Sequence, residues 1–387
     1  MYRILFDLFQ CQPVDSSKYH GGGEYIKVVF KRLIELYSNS IKLVVFYNPE
    51  KFLDDWIKDI ITKEKIKTYA VEDCSGIRKI FQHEEIDIFY SGLPYYYKKA
   101  DIPGSVLVIG TIHGLRFLEL PADKYACKYY SGARKIKEVI RFVARNFYKE
   151  KKKEDFKNCI ELLDKVVCVS NHTMYTIRNY YPNLENKKIS VFYTPQKVAE
   201  SSLSKQSPVD TNYILLMGGD RWVKNCYRAI IAIETLLMKG YLDNYRIVIV
   251  GGLSSSITRR IKDNERYIMK DYVSTEELET LYKFCDVFLY PSLNEGFGMP
   301  PLEAMKYGRT CIVSGVCSLP EICGDAVYYV NPYDIGEISG RILNAVDEKK
   351  PSTQVIEQYR RINEKQNRDL DELCRLIKEY RRNTNYD

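Results

Sequence analysis

The sequence predicts an α/β protein with two parallel sheets, each covered by helices. Short apolar runs rich in Val, Ile, Tyr and Phe alternate with longer segments of helical period. The runs are apolar almost throughout, as strands buried on both faces require. This order of elements occurs twice along the 387 residues, which is enough chain for two or three domains with a core each.

The predicted strands form two groups of six. Those of the first half are residues 3–9, 42–47, 86–90, 106–112, 165–169 and 189–192, and those of the second half are residues 213–217, 246–250, 267–269, 287–290, 310–313 and 327–329. A polar segment interrupted by Pro195 and Pro208 separates the groups and predicts a connection. We therefore expect four parts of the chain: an N-terminal domain over 1–195, a linker over 196–212, a C-terminal domain over 213–365, and a helix and tail over 366–387.

Composition excludes several classes of protein. Apolar residues are 45% and charged residues 28%, and the 33 Tyr are too many for a disordered chain. The 11 Cys form no C-x-x-C pair, and several lie inside apolar runs, which favours reduced core thiols. The 4 His are too widely spread for a local metal-ligand spacing. Neither a leader peptide nor an apolar run long enough for a membrane span is visible, so we expect a cytoplasmic protein.

Two motifs follow strands of the first half, where open α/β folds bind ligands. Residues 19–25 contain a glycine run in which Gly22 and Gly23 bring backbone N–H groups toward a phosphate or a sugar; a plain turn is the alternative. The strand over 106–112 ends at His113, whose imidazole can donate a hydrogen bond or carry a proton. A half-buried structural histidine is the other interpretation.

Two further motifs follow strands of the second half. Arg221 and Lys224 lie between a strand and a helix and suit a diphosphate, with a solvated surface pair as the alternative. Residues 290–305 place Glu295 on a glycine-rich loop and Glu303 in a helix that two prolines open. Because carboxylates accept hydrogen bonds from hydroxyls and a helix start attracts anions, this motif predicts a ligand with both phosphate and polyol, such as a nucleotide sugar.

The E-G-F-G-M-P-P-L-E-A-M run from Glu295 to Met305, with residues 318–326, Pro332 and Asp334, resembles the donor-binding half of the family 4 retaining glycosyltransferases of GT-B fold. The resemblance extends more loosely over nearly the whole chain. It implies two Rossmann-like domains facing across a cleft, with the C-terminal helices packing back toward the N-terminal domain. It also implies a metal-independent hexosyltransferase that needs no cofactor and takes a UDP- or GDP-sugar as co-substrate. The acceptor would be a glycan or a lipid-linked glycan in surface polysaccharide biosynthesis, such as O-antigen or capsule.

The resemblance also implies roles for single residues. Glu303 would hold the ribose hydroxyls, and Arg221 and Lys224 the diphosphate. Glu295 would hold the transferred sugar, His113 would lie beside the anomeric carbon, and these two with Lys224 would be the catalytic residues. The remaining implied contacts are Gly218, Gly296, Phe297, Gly298 and Met299 on the donor side and Gly22 and Gly23 on the acceptor or phosphate side. The departures are Gly308-Arg309-Thr310-Cys311 where relatives show Gly-x-Pro-Val, and a short spacing from Arg221 to Lys224.

Three other functions are alternatives to this interpretation. A phosphorylase of the same fold would need a basic site for inorganic phosphate or a cofactor lysine, and neither can be placed. A nicotinamide oxidoreductase would need a G-x-G-x-x-G motif followed by an acidic residue, which is absent. A catalytically silent nucleotide-binding protein is disfavoured because His113, Lys224, Glu295 and Glu303 are all present.

The net charge of +7 is concentrated in one segment, residues 134–153, which has nine basic residues against two acidic ones. Within it Ile136, Val139, Ile140, Val143 and Phe147 repeat at helical spacing, which predicts a basic amphipathic helix. One interpretation is a helix that rests on an anionic membrane surface and brings the enzyme to a lipid-linked acceptor. The other is a core-facing helix with a solvated basic side. Nucleic acid is not expected, since no nucleic-acid-binding motif accompanies the segment.

Overall fold

The computed structural model describes residues 2–13, 20–184, 188–197 and 204–381. These residues form two compact units, each assembled from segments that are distant in the sequence. The first unit comprises Met1–Leu115, Lys151–Lys197 and Asn363–Asp387, and the second comprises Arg116–Glu150 and Val198–Ile362. Each unit contains one parallel sheet.

The sheet of the first unit has seven strands in the order β3-β2-β1-β4-β5-β6-β7, and all neighbours are parallel. The first six strands of this order, β3 to β6, follow the doubly wound order of a Rossmann fold, and β7 is added at the edge beside β6. The strands are β1 (Arg3–Asp7), β2 (Lys42–Tyr47), β3 (Lys67–Ala70), β4 (Ile88–Ser91), β5 (Leu107–Ile112), β6 (Lys165–Cys168) and β7 (Lys188–Val191).

The sheet of the second unit has six parallel strands in the order β10-β9-β8-β11-β12-β13, which is the same doubly wound order without the added edge strand. The strands are β8 (Asn212–Met217), β9 (Tyr245–Val250), β10 (Tyr267–Lys270), β11 (Val287–Tyr290), β12 (Thr310–Ser314) and β13 (Tyr328–Val330).

Most helices connect parallel strands and pack one side in the core. The helices are α1 (Gly21–Tyr37), α2 (Asp55–Lys63), α3 (Ile77–His83), α4 (Arg116–Glu119), α5 (Gly132–Val143), α6 (Arg145–Leu162), α7 (Asn171–Tyr180), α8 (Cys226–Leu237), α9 (Ser255–Thr258), α10 (Thr275–Phe284), α11 (Met299–Met305), α12 (Leu319–Cys323), α13 (Ile335–Asp347) and α14 (Ser352–Glu379). Of these, α5 has no buried residue and α14 follows the last strand. Among the described residues, no helix is both long and apolar enough to cross a membrane.

The core of each unit contains the apolar runs that predicted the strands. In the first unit, Phe6, Phe30 and Tyr90 are completely buried. The centroid of the Phe6 ring lies 5.5 Å from that of Phe30 and 5.2 Å from that of Tyr90. In the second unit, α8 packs its isoleucines on β8, β9 and β11 in one continuous apolar cluster. Strands buried on both faces need apolar side chains at nearly every position, so the strands of both sheets correspond to nearly continuous hydrophobic runs in the sequence.

Both parallel sheets are therefore confirmed, and all 12 predicted strands are present, with end shifts of one or two residues. The strand that the sequence did not predict is β3, whose side chains are mostly exposed, so that it carries no hydrophobic run. The later part of α14 packs in the first unit as expected: Arg32 pairs with Asp371 at 2.6 Å between Nε and Oδ1, and the Cys374 thiol faces the Val29 carbonyl.

The units differ from the predicted domain boundaries in one segment. Residues 116–150 were placed in the N-terminal domain, but they pack in the second unit. Two buried contacts hold them there: Arg228 donates twice to the Asp123 carboxylate, at 2.9 and 3.0 Å, and the Tyr129 hydroxyl accepts the backbone N–H of Tyr227. The predicted linker lies partly outside the described residues.

Candidate nucleotide-sugar site

In the second unit, three loops meet at the carboxyl ends of β8, β11 and β12. The loop after β8 turns through a short 3-10 helix, Trp222–Lys224, and the loop after β11 is joined to it by a hydrogen bond from the Leu293 N–H to the Val223 carbonyl. Asn225 supports the junction, since its side-chain amide donates to the carbonyls of Pro291 and Pro332. Asn225 adopts the left-handed conformation, with φ of 62°, which asparagine tolerates better than most residues.

Glu295 is the centre of this cluster, and its two carboxylate oxygens differ. Oε1 accepts three hydrogen bonds: from Lys224 Nζ at 2.7 Å, from the Tyr290 hydroxyl at 2.8 Å and from the Ser292 hydroxyl at 2.6 Å. Oε2 accepts none from the described residues, although the side chain is only 10% exposed. One oxygen therefore fixes the carboxylate, and the other is left to accept hydrogen bonds from a ligand.

Lys224 completes the cluster from the neighbouring loop. Besides Glu295, its ammonium contacts the Tyr290 hydroxyl and lies 4.8 Å from the centroid of that ring. An ammonium has three donors, and two have partners here. Burial lowers the pKa of Lys224, while the attraction of Glu295 opposes that shift. Burial alone would raise the pKa of Glu295, but Lys224 and the hydroxyls bonded to it bring this pKa below its ordinary value.

The glycine-rich loop after β11 is fixed by a residue from the loop after β12. Ser318 is completely buried, and its hydroxyl lies within hydrogen-bond distance of the Glu295 carbonyl (3.0 Å) and the Phe297 carbonyl (2.8 Å). Gly298 then enters α11 with φ of +109°, and a Cβ there would lie 2.7 Å from Leu319. This position therefore requires glycine. Gly296 lies within the fixed stretch, and Met299 is the first residue of α11.

Glu303 lies on α11, and its charge acts on two buried tyrosines, Tyr282 and Tyr290. Its charge adds to the effect of burial in raising the pKa of Tyr282 and of Tyr290, and Glu295 also acts on Tyr290. The charges of both glutamates that the sequence singled out therefore act on one buried tyrosine at the end of β11. Tyr290 opens the 290–305 motif, but the sequence predicted no separate role for it, because the last residue of a buried strand looks like a core residue.

Two arginines add positive charge. Arg221 is exposed and precedes the 3-10 helix, where its charge acts on Lys224 and Tyr290. Arg116, the first residue of α4, was not predicted. Desolvation lowers the pKa of Arg116, and the positive charge of Arg221 lowers it further, while the negative charge of Glu295 opposes both effects. Gly218, with φ of +72°, shapes the same loop, since a Cβ there would lie 2.6 Å from Lys224 Cγ.

In the first unit, His113 follows β5 as predicted. Its Nε2 lies 2.9 Å from the Gly92 carbonyl, and because a carbonyl can only accept, Nε2 must carry the proton. Burial lowers the pKa of His113 to about 4, so the ring is neutral near pH 7 and Nδ1 is an acceptor. The ring also packs edge-on against Tyr25 at 4.8 Å. The sequence predicted that this imidazole donates a hydrogen bond or carries a proton. In the structure its N–H already donates to the Gly92 carbonyl within the protein.

The glycine run has a different structure from the predicted turn. Gly21, Gly22 and Gly23 form the first turn of α1, and none of them has a positive φ. His20 caps the helix, its Nδ1 accepting the Gly23 N–H at 3.0 Å. Small size is what the position demands: a Cβ on Gly22 would lie 2.8 Å from Leu93, and one on Gly23 would lie 2.9 Å from the Cys11 carbonyl.

Two units, each with a parallel sheet of doubly wound order, are the architecture of the GT-B fold. The chain is similar in fold to Alr3699/HepE from Anabaena in complex with UDP, with a TM-score of 0.66 and 14% identity over 97% of this chain and 99% of that chain. Residues 199–363 match the family described as glycosyl transferases group 1. Residues 199–363, the greater part of the second unit, therefore resemble this group, in agreement with the family 4 resemblance of the sequence motifs.

Two curated relatives add detail. The chain is 46% identical over 77 residues to O-antigen chain mannosyltransferase B of Escherichia coli, covering 20% of each chain. It is 30% identical over 199 residues to O-antigen chain mannosyltransferase RfbU of Salmonella typhimurium, covering 50% of this chain and 53% of that one. The chain therefore spans about half or less of the length of these relatives.

Proposed function

We propose that this chain transfers a mannosyl unit, with retention, from a nucleotide diphosphate mannose to a growing surface polysaccharide such as O-antigen. The names of the two O-antigen mannosyltransferases support the sugar and the product, and the UDP complex of the fold relative supports a nucleotide donor. The observation that carries the proposal is the Glu295 carboxylate, which is fixed through Oε1 and open at Oε2 beside Lys224.

The proposed roles follow from these contacts. Glu295 Oε2 accepts hydrogen bonds from hydroxyls of the transferred sugar, and Glu303 accepts those from the ribose. The third donor of Lys224 and the guanidinium of Arg221 hold the diphosphate and stabilise its charge as it leaves. Since these charges are positioned before the substrate arrives, electrostatic preorganisation is the main catalytic effect. The positive charge comes from side chains, so we propose that the reaction needs neither a metal nor another cofactor.

His113 takes a role that its tautomer allows. With Nε2–H donated to Gly92, the neutral ring offers Nδ1 to a sugar hydroxyl near the anomeric carbon, and it does not act as an acid near pH 7. We propose that the leaving diphosphate takes the acceptor proton on the face from which it departs, which gives retention. Gly22 and Gly23 remain the proposed wall on the acceptor or phosphate side.

Calorimetry with GDP and UDP tests the donor roles. Glu303→Ala should weaken diphosphate binding roughly tenfold to a hundredfold, because a hydrogen bond to a charged group contributes about 1.5–3 kcal/mol. Glu295→Ala should leave this affinity nearly unchanged and reduce transfer, since its open oxygen faces the sugar. Glu276→Ala, an exposed acid of the same unit, serves as the control. Equal losses of affinity in the two site variants would show that the roles are wrongly assigned.

We also propose that the enzyme works at the cytoplasmic side of a membrane, on which α5 rests. The predicted single helix is two, α5 and α6, and no residue of α5 is buried. The apolar residues that a core-facing helix would bury are exposed, among them Ile136 (64%), Val143 (76%) and Phe147 (72%). Cations flank these side chains, so the surface is complementary to anionic lipid.

Sedimentation with vesicles tests this surface. Vesicles containing phosphatidylglycerol should retain the protein, and neutral phosphatidylcholine vesicles should not. Replacing Lys151, Lys152 and Lys153 by Gln should lower the bound fraction, and Val143→Asp should lower it further by removing an inserted side chain. Lys58→Gln, an exposed lysine of α2, is the charge control. Equal recovery with both lipids, or no loss in the triple variant, would exclude the membrane role.

A further inference from the structure

The first unit has a cavity that the proposed donor site does not use. It lies at the carboxyl ends of β1, β2, β3 and β4 and has a volume of about 410 Å³. This size is within the range of roughly 300–1,000 Å³ that small-molecule sites occupy. All of its lining residues belong to the first unit.

The floor of the cavity is built from buried polar side chains. Gln12 is 2% exposed, and its amide both donates to the Asn48 carbonyl (2.8 Å) and accepts the Asn48 N–H (2.7 Å), which joins the turn after β1 to the loop after β2. Gln10, 5% exposed, donates to the Cys74 sulfur and so reaches the loop after β3. Asp7 accepts hydrogen bonds from the Gln10 N–H and from the Ser91 and Tyr97 hydroxyls. The four loops are therefore held in one arrangement before a ligand arrives.

The lining combines aromatic rings with three cations and two carboxylates, of which Asp101 pairs with Arg78 and Asp73 accepts hydrogen bonds from Ser75. Lys51 and Lys98 form no ion pair with any described residue, whereas Arg78 is paired with Asp101. Lys51 Nζ lies 5.2 Å from the centroid of the Phe9 ring. Tyr96, 62% exposed, presents a second ring at the rim. Two lysines without a carboxylate partner among the described residues attract an anion, and the negative face of an aromatic ring attracts the polarised C–H groups of a pyranose.

We infer that this cavity binds an acidic sugar unit, one that carries a carboxylate or a phosphate ester. The anionic group lies between Lys51 and Lys98, the sugar ring packs on Tyr96, and the side-chain amide of Gln10 forms a hydrogen bond with a sugar hydroxyl. This inference rests on the proposed function, because it gives the acceptor glycan a negatively charged sugar, and the first unit of the protein binds that sugar. It adds a chemical class to an acceptor that the donor site leaves open.

Saturation-transfer NMR on the full chain tests the inference with two matched pairs of probes: methyl glucuronide against methyl glucoside, and mannose 6-phosphate against mannose. The acidic member of at least one pair should bind more tightly, and the pair that shows the difference identifies the anion. Lys51→Gln/Lys98→Gln should weaken the acidic probe roughly threefold to tenfold, as expected for two exposed charge contacts. The same double change should leave the neutral probe unaffected, and Tyr96→Ala should weaken both.

Lys42→Gln/Lys63→Gln makes the same change of charge in the same unit outside the cavity and should have no effect. No preference for either acidic probe, no binding by any probe, or equal losses in the two double variants would overturn the inference. Tighter binding of GMP than of the acidic sugars, lost in Lys51→Gln/Lys98→Gln, would also overturn it in favour of a nucleotide. Wild-type protein that binds neither GDP nor UDP in calorimetry would contradict the donor proposal alone, and the two failures are thereby distinguishable.

Discussion

The two units hold ionisable groups at the carboxyl ends of their sheets in opposite ways. In the second unit, Lys224 and Glu295 are both buried and face each other at 2.7 Å, so each charge has an opposite charge beside it. In the first unit, Asp7 and His113 have neutral hydrogen-bond partners only, and burial moves each pKa toward the uncharged form, to about 6 and about 4. The difference indicates that the second unit keeps two opposite charges buried together, as the proposed diphosphate site would require, whereas burial in the first unit favours the uncharged forms.

The largest expected effect comes from breaking the buried pair. Glu295→Gln keeps the shape of the side chain but leaves the Lys224 ammonium without its counter-charge, and removing one partner of a buried pair costs about 3–5 kcal/mol. Urea unfolding should show this loss in the second unit, together with a loss of transfer. Lys224→Met/Glu295→Gln should recover part of the stability and none of the activity.

An exposed pair of the same unit provides the control. Lys270 and Glu277 pair at 2.6 Å with side chains 31% and 38% exposed, so Glu277→Gln should cost less than about 1 kcal/mol. If Glu295→Gln cost no more than Glu277→Gln, the buried pair would not be held as charges, and the contrast between the units would disappear.

The next effect concerns pH. Asp7 has a pKa of about 6 in the folded protein against an ordinary 3.8, so it binds a proton more tightly when folded, and its contribution to stability is lost as pH rises toward 6. His113, at about 4 against 6.5, has the opposite sign: its contribution is present above pH 6.5 and is lost as pH falls toward 4. The two contributions oppose each other between about pH 4 and pH 6.

Single variants should separate them. Asp7→Asn leaves the His113 contribution alone, so its stability relative to wild type should fall on acidification by up to about 1.4 kcal/mol per pH unit. His113→Gln should show the reverse, a relative gain on acidification. Urea unfolding from pH 4 to pH 7 measures both, and parallel pH curves for wild type and both variants would contradict the assignment.

Sequence alone predicted the parts of the molecule in which one strong local rule applies. Strands buried on both faces are apolar at every position, so twelve of them could be found; β3, an exposed edge strand, has no such pattern. Glu295 and Lys224 were singled out as charged residues on loops after strands, and Glu303 as a carboxylate in a helix that two prolines open. The open carboxylate oxygen could not be predicted, since it depends on three donors from two distant loops reaching one atom.

The remaining misses have the same cause. Tyr290, Ser292 and Ser318 lie within the motifs that the sequence singled out, but no role was predicted for them, because only the fold brings their hydroxyls to the Glu295 loop. The segment 116–150 was assigned by its place in the chain, whereas the buried Arg228–Asp123 pair that anchors it joins residues 105 positions apart. Contacts at this separation leave no periodic signal in a single sequence.

The smallest effect concerns glycines, and it too separates the units. In the second unit Gly218 and Gly298 are needed for their positive φ, but the glycines that open α1 are helical. A Cβ on Gly21 meets nothing within 4 Å. Gly21→Ala should therefore raise the free energy of unfolding by roughly 0.4–1 kcal/mol, because alanine lowers the conformational entropy of the unfolded chain. Gly23→Ala should lower it, because its Cβ would press on the Cys11 carbonyl, at 2.9 Å. Thermal unfolding of the two variants measures both signs. Equal stabilisation by both would show that close packing is not what keeps Gly23 small, and a ligand approaching the backbone there would become the better explanation.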